Sequence, residues 1–206
     1  MKKFFTNIPL QGKAGLSACV YTPVGNDKLR MDGETHFPII PTLRGYVCAG
    51  EEFRLIAVVA DNDDCRRNLD ALKEELRAAC VATGAICPRG VETVTVSDDQ
   101  RVAAHVSTFQ QLIDFTDDDD ELFACITFGT KPASIALMMA VQYAYRIKQN
   151  ASISCVVYGQ IDRSTTPNVH YIYDMTALVQ LDEIVRVLAD RGVANPKETI
   201  DRILSL

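Results

Sequence analysis

An α/β fold, Rossmann-like, with a mostly parallel sheet and helices on both faces, is the architecture this chain predicts, and three observations predict it. Apolar runs of strand length alternate with segments of helical period along most of the chain, the order of strands joined by crossover helices. The run from Phe53 to Ala60 is apolar almost continuously rather than at every second position, as a strand covered on both faces must be. Gly, Pro, Asn and Asp cluster at the joins between the two patterns.

Taken in order, Lys2 to Pro9 and Leu16 to Thr22 read as strands. Between Pro23 and Gly50 glycines and prolines recur without period, so residues 23–50 are expected to be a loop or hairpin excursion. The strand Phe53 to Ala60 runs into Asp61-Asn62-Asp63-Asp64, whose short polar side chains suit the cap of a helix starting near Cys65. Leu69, Leu72, Leu76 and Ala79 recur along that helix at helical spacing, with Arg66, Arg67, Lys73, Glu74 and Arg77 mainly on other faces. Val91 to Val96 is the next strand, and Ser97-Asp98-Asp99 is expected to cap a helix striped by Val102, Val106, Phe109, Leu112 and Ile113. His105 falls at the edge of the stripe, where a lone histidine is more often a core-edge side chain than a ligand or base. The Asp117-Asp118-Asp119-Asp120 run reads as a solvated loop.

From Leu122 a buried strand ends in Gly129-Thr130-Lys131-Pro132 and enters a helix reaching about Gln149. Ile135, Leu137, Met138, Met139, Val141, Tyr143 and Tyr145 lie on nearly every side of it, so deep burial is expected, at least in its first half. A strand Ser152 to Tyr158 ends in Gly159-Gln160, and Val169 to Tyr173 is the last strand. An amphipathic helix carrying Leu178, Leu181, Val185 and Leu188 follows, and Asn195-Pro196-Lys197-Glu198 opens a C-terminal helix within 191–206. A single domain over residues 1–206 is expected.

Composition narrows the function. The formal charge of −6 and an isoelectric point near 5.1 exclude a protein that wraps duplex DNA, which needs a basic face, but allow a small anionic ligand. Seven scattered cysteines with no CxxC pair point to a reducing, cytoplasmic setting. His36, His105 and His170 have no partner at metal-ligand spacing, so no metal is expected. The Met1 to Leu10 run is too short for a signal peptide core. Gly129, Lys131 and Pro132 break the most apolar stretch, Leu122 to Ala144, short of the roughly 20 residues a membrane helix needs, so no membrane contact is expected.

The junction at Gly129 carries the chemistry. A strand feeding a helix through a glycine turn points the helix's first unpaired N–H groups outward, and Lys131 adds a positive charge beside them, a corner suited to phosphate. The plainer alternative is that Thr130 only caps and Pro132 only opens the helix. Neither GxGxxG nor GxxxxGK[ST] occurs, so the usual NAD and ATP cradles do not apply and no cofactor is expected. Asp61 to Asp64 and Lys131-Pro132 superficially match a receiver-type phosphoacceptor site. That site takes its hydroxyl and lysine from two successive strand ends, whereas Thr130 and Lys131 are adjacent. In a parallel α/β sheet the carboxyl ends of the strands form one rim, here gathering Gln11, Asn62, Ser97, Gly129 to Lys131 and Gly159 to Gln160.

The run Ile126-Thr127-Phe128-Gly129-Thr130-Lys131-Pro132, the helix after it, the strand ending Tyr158-Gly159 and the strand ending Asp174-Met175-Thr176 resemble the CARF (CRISPR-associated Rossmann fold) family, over roughly Leu122 to Leu188. The first half agrees with that family in strand and helix order. The resemblance implies a homodimer that binds cyclic oligoadenylate, the tetra- or hexaadenylate messenger of type III CRISPR antiviral defense, across a two-fold cleft. It implies ring phosphates against Gly129, Thr130 and Lys131 of each subunit. Asn62 and Gln11 would then read adenine edges or ribose hydroxyls, and Thr127 and Gln160 would line the rim, four assignments made from strand-end position alone.

CARF domains commonly lead into an effector nuclease, yet only one short helix follows Leu188. The Arg30 to His36 spacing of a HEPN ribonuclease is broken by Asp32-Gly33 and Pro38. Two functions are therefore expected from the resemblance: a sensor, or a metal-independent ring nuclease in which Lys131 and Thr130 stabilise charge while the ribose 2′-hydroxyl is held in line with its phosphate. Alignment alone can contribute roughly 7–11 kcal/mol. Sensing is the favoured expectation, because the sequence aims no histidine or carboxylate at the corner.

Overall fold

A computed structural model describes residues 1–12, 16–97, 99 and 101–205. Seven strands, β1 (Lys2–Asn7), β2 (Tyr21–Val24), β3 (Phe53–Ala60), β4 (Val91–Val96), β5 (Glu121–Cys125), β6 (Ser152–Asp162) and β7 (Val169–Asp174), form one sheet in the order β2-β7-β6-β5-β1-β3-β4. β6, β5, β1, β3 and β4 are parallel, whereas β7 runs antiparallel to β6 and carries β2 parallel on its outer edge. The helices are α1 (Ile39–Tyr46), α2 (Asp63–Thr83), α3 (Val102–Ile113), α4 (Lys131–Ile147), α5 (Thr176–Asp190) and α6 (Pro196–Leu204). The fold is thus α/β and Rossmann-like. It divides into two compact units: Met1–Asp174, which holds the whole sheet and α1 to α4, and Met175–Leu206, in which α5 and α6 pack on one another.

Consecutive apolar residues in the central strands serve opposite faces. Phe4, Leu55, Ala57, Phe123 and Cys125 join one core with Ile39 and Leu43 of α1 and Leu72, Leu76 and Ala79 of α2. Phe4 stacks on Phe123 there at 4.4 Å. The alternate residues Phe5, Ile56, Val58, Leu122 and Ala124 are also buried, on the side where α4 packs on β1 and β5. After β1 the chain visits β2 at the far edge, comes back to β3 and β4 on one side of β1, and then passes to β5 and β6 on the other. The reversal beside β1 is the place where such sheets open a crevice at their carboxyl ends.

Several sequence expectations change. Residues 23–50 are not merely loop: a 3-10 turn, Asp27–Leu29, and helix α1 lie within them. Pro38, Pro41 and Gly45 obscure the helical period, but Pro41 sits in the first turn, where no N–H is needed, and the burial of Ile39, Ile40 and Leu43 stabilises the helix. The strand read at Leu16 to Thr22 begins only at Tyr21, with Cys19 forming an isolated bridge to Thr35. The cap predicted for α3 is not made by side chains at its N-cap, Arg101; Asp99 accepts from the Arg101 backbone at 2.9 Å, and Asp98 lies outside the described residues.

Asp120 does not face solvent. It is 2% exposed and pairs at 2.6 Å with Lys3, itself 1% exposed, while Asp117 reaches the same ammonium at 2.6 Å. A buried lysine needs such partners, and the strand-forming run Lys2 to Thr6 hides this one because its charge points across to another loop. All seven cysteines are free, four of them buried.

Helix α4 departs most instructively. Ala136, Leu137, Ala140, Val141 and Ala144 are its buried face, and the alanines let it lie close to the sheet. Ile135 is 61% and Met139 51% exposed, as are Val102 (78%) and Val106 (48%) on α3, which packs along α4. The all-round apolar pattern therefore marks a helix with one face in the core and another uncovered within the monomer.

Candidate functional site

The Gly129 corner lies at the reversal beside β1. β5 ends at Cys125, and the loop to α4 crosses the carboxyl end of β1, where Gly129 adopts φ +86°. A Cβ at Gly129 would lie 2.9 Å from Cβ of Asn7, the last residue of β1, so both the backbone angle and the close approach require glycine. Thr130 is the N-cap: its hydroxyl accepts from the Ala133 N–H at 3.3 Å, and Pro132 stands in the first turn. The first helical bond runs from Ser134 N–H to the Thr130 carbonyl at 3.1 Å.

Among the described residues, the backbone N–H groups of Gly129, Thr130 and Lys131 donate to no acceptor, and the Lys131 ammonium has no ion pair. Gly129 and Lys131 are exposed. Three consecutive donors at the positive end of a helix, with a free cation beside them, form an open anion-binding surface.

Asn7 and His105 supply what the sequence did not bring to the site. Asn7 is 1% exposed; its amide donates to Ser134 Oγ at 3.5 Å, but its Oδ1 is buried with no partner. His105 Nε2 is likewise buried and unpartnered. Both residues line a cavity of about 40 Å³ whose wall also includes Ser97, Gly129 and Thr130. The signal for Asn7 was an amide at the last position of a central strand, where its side chain meets the carboxyl-end rim. His105 gave no local signal, because only the packing of α3 beside α4 brings it to the corner.

The other expected residues divide into two groups. The Thr127 hydroxyl accepts from Gly159 N–H at 2.8 Å and meets Cys125 Sγ at 3.2 Å, which ties β6 to the loop. A Cβ on Gly159 would lie 2.7 Å from Pro38 Cγ, so the start of α1 closes down on the same rim. Gln160 is exposed on β6, opposite Tyr171 of β7. Asn62 and Gln11 belong to the α2 side: Asn62 Oδ1 accepts from Cys65 N–H at 2.8 Å as N-cap, and Asn68 Nδ2 donates to the Gln11 carbonyl at 2.9 Å. Among the described residues no hydrogen bond joins Gln11 or Asn62 to the corner.

Near the cavity, Arg101 holds Asp99 below the usual carboxylate range by a side-chain hydrogen bond. Thr108 gives its hydroxyl to the Ala104 carbonyl at 3.0 Å. These groups are already satisfied, and among the described residues Asn7 Oδ1 and His105 Nε2 are the buried side-chain atoms of the lining without a hydrogen-bond partner. Among the described residues no group of three His, Cys, Asp or Glu side chains is placed to hold a metal ion, and no helix is long and apolar enough to cross a membrane. Compared with known proteins, the chain matches no family model and no curated protein.

Proposed function

We propose that this chain is a CARF-type sensor that binds cyclic oligoadenylate, with two copies sharing one ring. The observation that carries the reading is the row of undonated N–H groups at Gly129 to Lys131 beside an unpaired ammonium. A ring phosphate supplies the missing acceptors and the countercharge together, in contacts of the charge-assisted kind. Homodimerisation is supported by the placement of exposed apolar side chains. Lys131, Ile135 and Met139 stand at i, i+4 and i+8, so the cation heads the uncovered stripe of α4, and Val102 and Val106 extend the apolar patch across α3. Two-fold pairing through that stripe brings two Lys131 corners to one shared cleft, matching a two-fold ligand.

One observation favours a second reading, metal-independent ring cleavage: His105, whose Nε2 is buried and unpartnered, lines the cavity that borders the corner. In that reaction the ribose 2′-hydroxyl gives up its proton as its oxygen bonds to the adjacent phosphorus, the bond from phosphorus to the 5′-oxygen breaks, the 5′-oxygen takes up one proton in turn, and a 2′,3′-cyclic phosphate remains.

The test is incubation of the purified protein with cyclic tetra- and hexaadenylate, followed by separation of bound from free nucleotide and chromatography of both. Intact retained ring supports the sensor. Linear fragments ending in a cyclic phosphate establish cleavage, and absence of both retention and cleavage ends both readings.

A further inference from the structure

We infer that the cavity lined by Asn7 and His105 is a receptor for one ligand hydroxyl, the ribose 2′-hydroxyl next to the phosphate held at Gly129 to Lys131, so that the site selects ribose over deoxyribose. The inference rests on the oligoadenylate reading of the corner and assigns its sugar specificity.

Size comes first. At about 40 Å³ the cavity has room for one or two water-sized groups and none for a purine. Chemistry narrows the guest further. Asn7 Oδ1 is an acceptor in need of a donor, and His105 Nε2, in the tautomer protonated there, is a donor in need of an acceptor. A hydroxyl satisfies both at once, donating to Asn7 and accepting from His105. A phosphate oxygen serves only the histidine, and an exocyclic amine serves only the amide. Val58, Ala60, Val96 and Ala104 make much of the remaining wall apolar, and Thr108 and Thr130 on it already have hydrogen-bond partners.

Position completes the case. Gly129 touches Asn7, so the phosphate corner and the cavity share a wall. In a ribonucleotide the 2′-oxygen and the 3′-phosphate sit on neighbouring carbons. A phosphate on the corner therefore delivers the 2′-hydroxyl to the cavity mouth. A site built to hydrogen-bond a hydroxyl rejects the analogue lacking it, because the buried partners are then left unpaired.

Calorimetric titration with cyclic tetraadenylate and its all-2′-deoxy counterpart tests this, in the parent chain and in Asn7→Leu and His105→Phe. The parent is expected to bind the deoxy ring at least tenfold more weakly. In either variant the ratio falls toward one, chiefly through weaker binding of the ribose ring, a change that a merely structural role would not produce. Equal affinity of the parent for the two rings overturns the inference and leaves the corner reading standing, as do variants that keep the parent's ratio. Retention of neither ring by the parent overturns both. If the variants do not fold, the parent's ratio alone decides.

Discussion

Gly129 shows how much one residue without a side chain determines here. Its positive φ sets the turn in which three consecutive N–H groups are left without an acceptor among the described residues, and its missing Cβ lets the loop rest on Asn7. Gly129→Ala is expected to lower stability by about 1–3 kcal/mol, the cost of a strained backbone plus a displaced neighbour, and to weaken oligoadenylate binding as well. Urea denaturation and calorimetry read the two effects, and an alanine variant with parental stability and affinity contradicts the geometry. The corner was legible in the sequence because turn, cap and cation occur within four consecutive residues, Gly129 to Pro132. Asn7 and His105 were not legible as a pair: they are about a hundred positions apart, and only strand order and helix packing bring them to one cavity.

At the scale of elements, strands and long helices followed from period and caps, as the Asn62 cap of α2 and the alternate faces of β3 illustrate. Helix α1 escaped because two prolines and a glycine mask eight residues whose stability comes from burial rather than propensity. The exposed stripe of α4 escaped because hydropathy reports which side chains avoid water and cannot say whether the cover is the core or another chain. Strand pairing also carries a pH dependence. Arg54 of β3 grips Glu92 of β4 through two bonds, of 2.7 and 2.8 Å, and this holds the Glu92 carboxyl below its ordinary value of 4.5. A carboxyl with a depressed folded value stabilises the fold fully above its unfolded value and loses that contribution as pH falls through the folded one. The stability advantage of the parent over Glu92→Gln is therefore expected to be full at pH 6 and to shrink as pH falls below 4.5 toward 3, in urea titrations across that range. A difference that is constant or grows toward low pH contradicts the pairing.

For the whole molecule, the sheet positions the Gly129 corner and the uncovered faces of α3 and α4 carry the proposed assembly. Ile135 and Met139 expose apolar area on the helix that begins at Lys131, so the proposed dimer and the proposed ligand site are one feature of α4. Ile135→Glu introduces a charge opposite its own two-fold copy. In sedimentation it is expected to convert a dimer to a monomer and to weaken ring binding by at least tenfold, although the corner itself is untouched. A variant that stays dimeric and binds as the parent does places the interface elsewhere.

The most direct measurement is a calorimetric titration of cyclic tetra- and hexaadenylate into the parent chain and into Lys131→Ala. One ring per two chains is expected for the parent. At least tenfold weaker binding is expected for the variant, about 1.5 kcal/mol, as for loss of a charged hydrogen bond. Absence of binding by the parent, or equal affinity in parent and variant, contradicts an oligoadenylate site at the Gly129 corner.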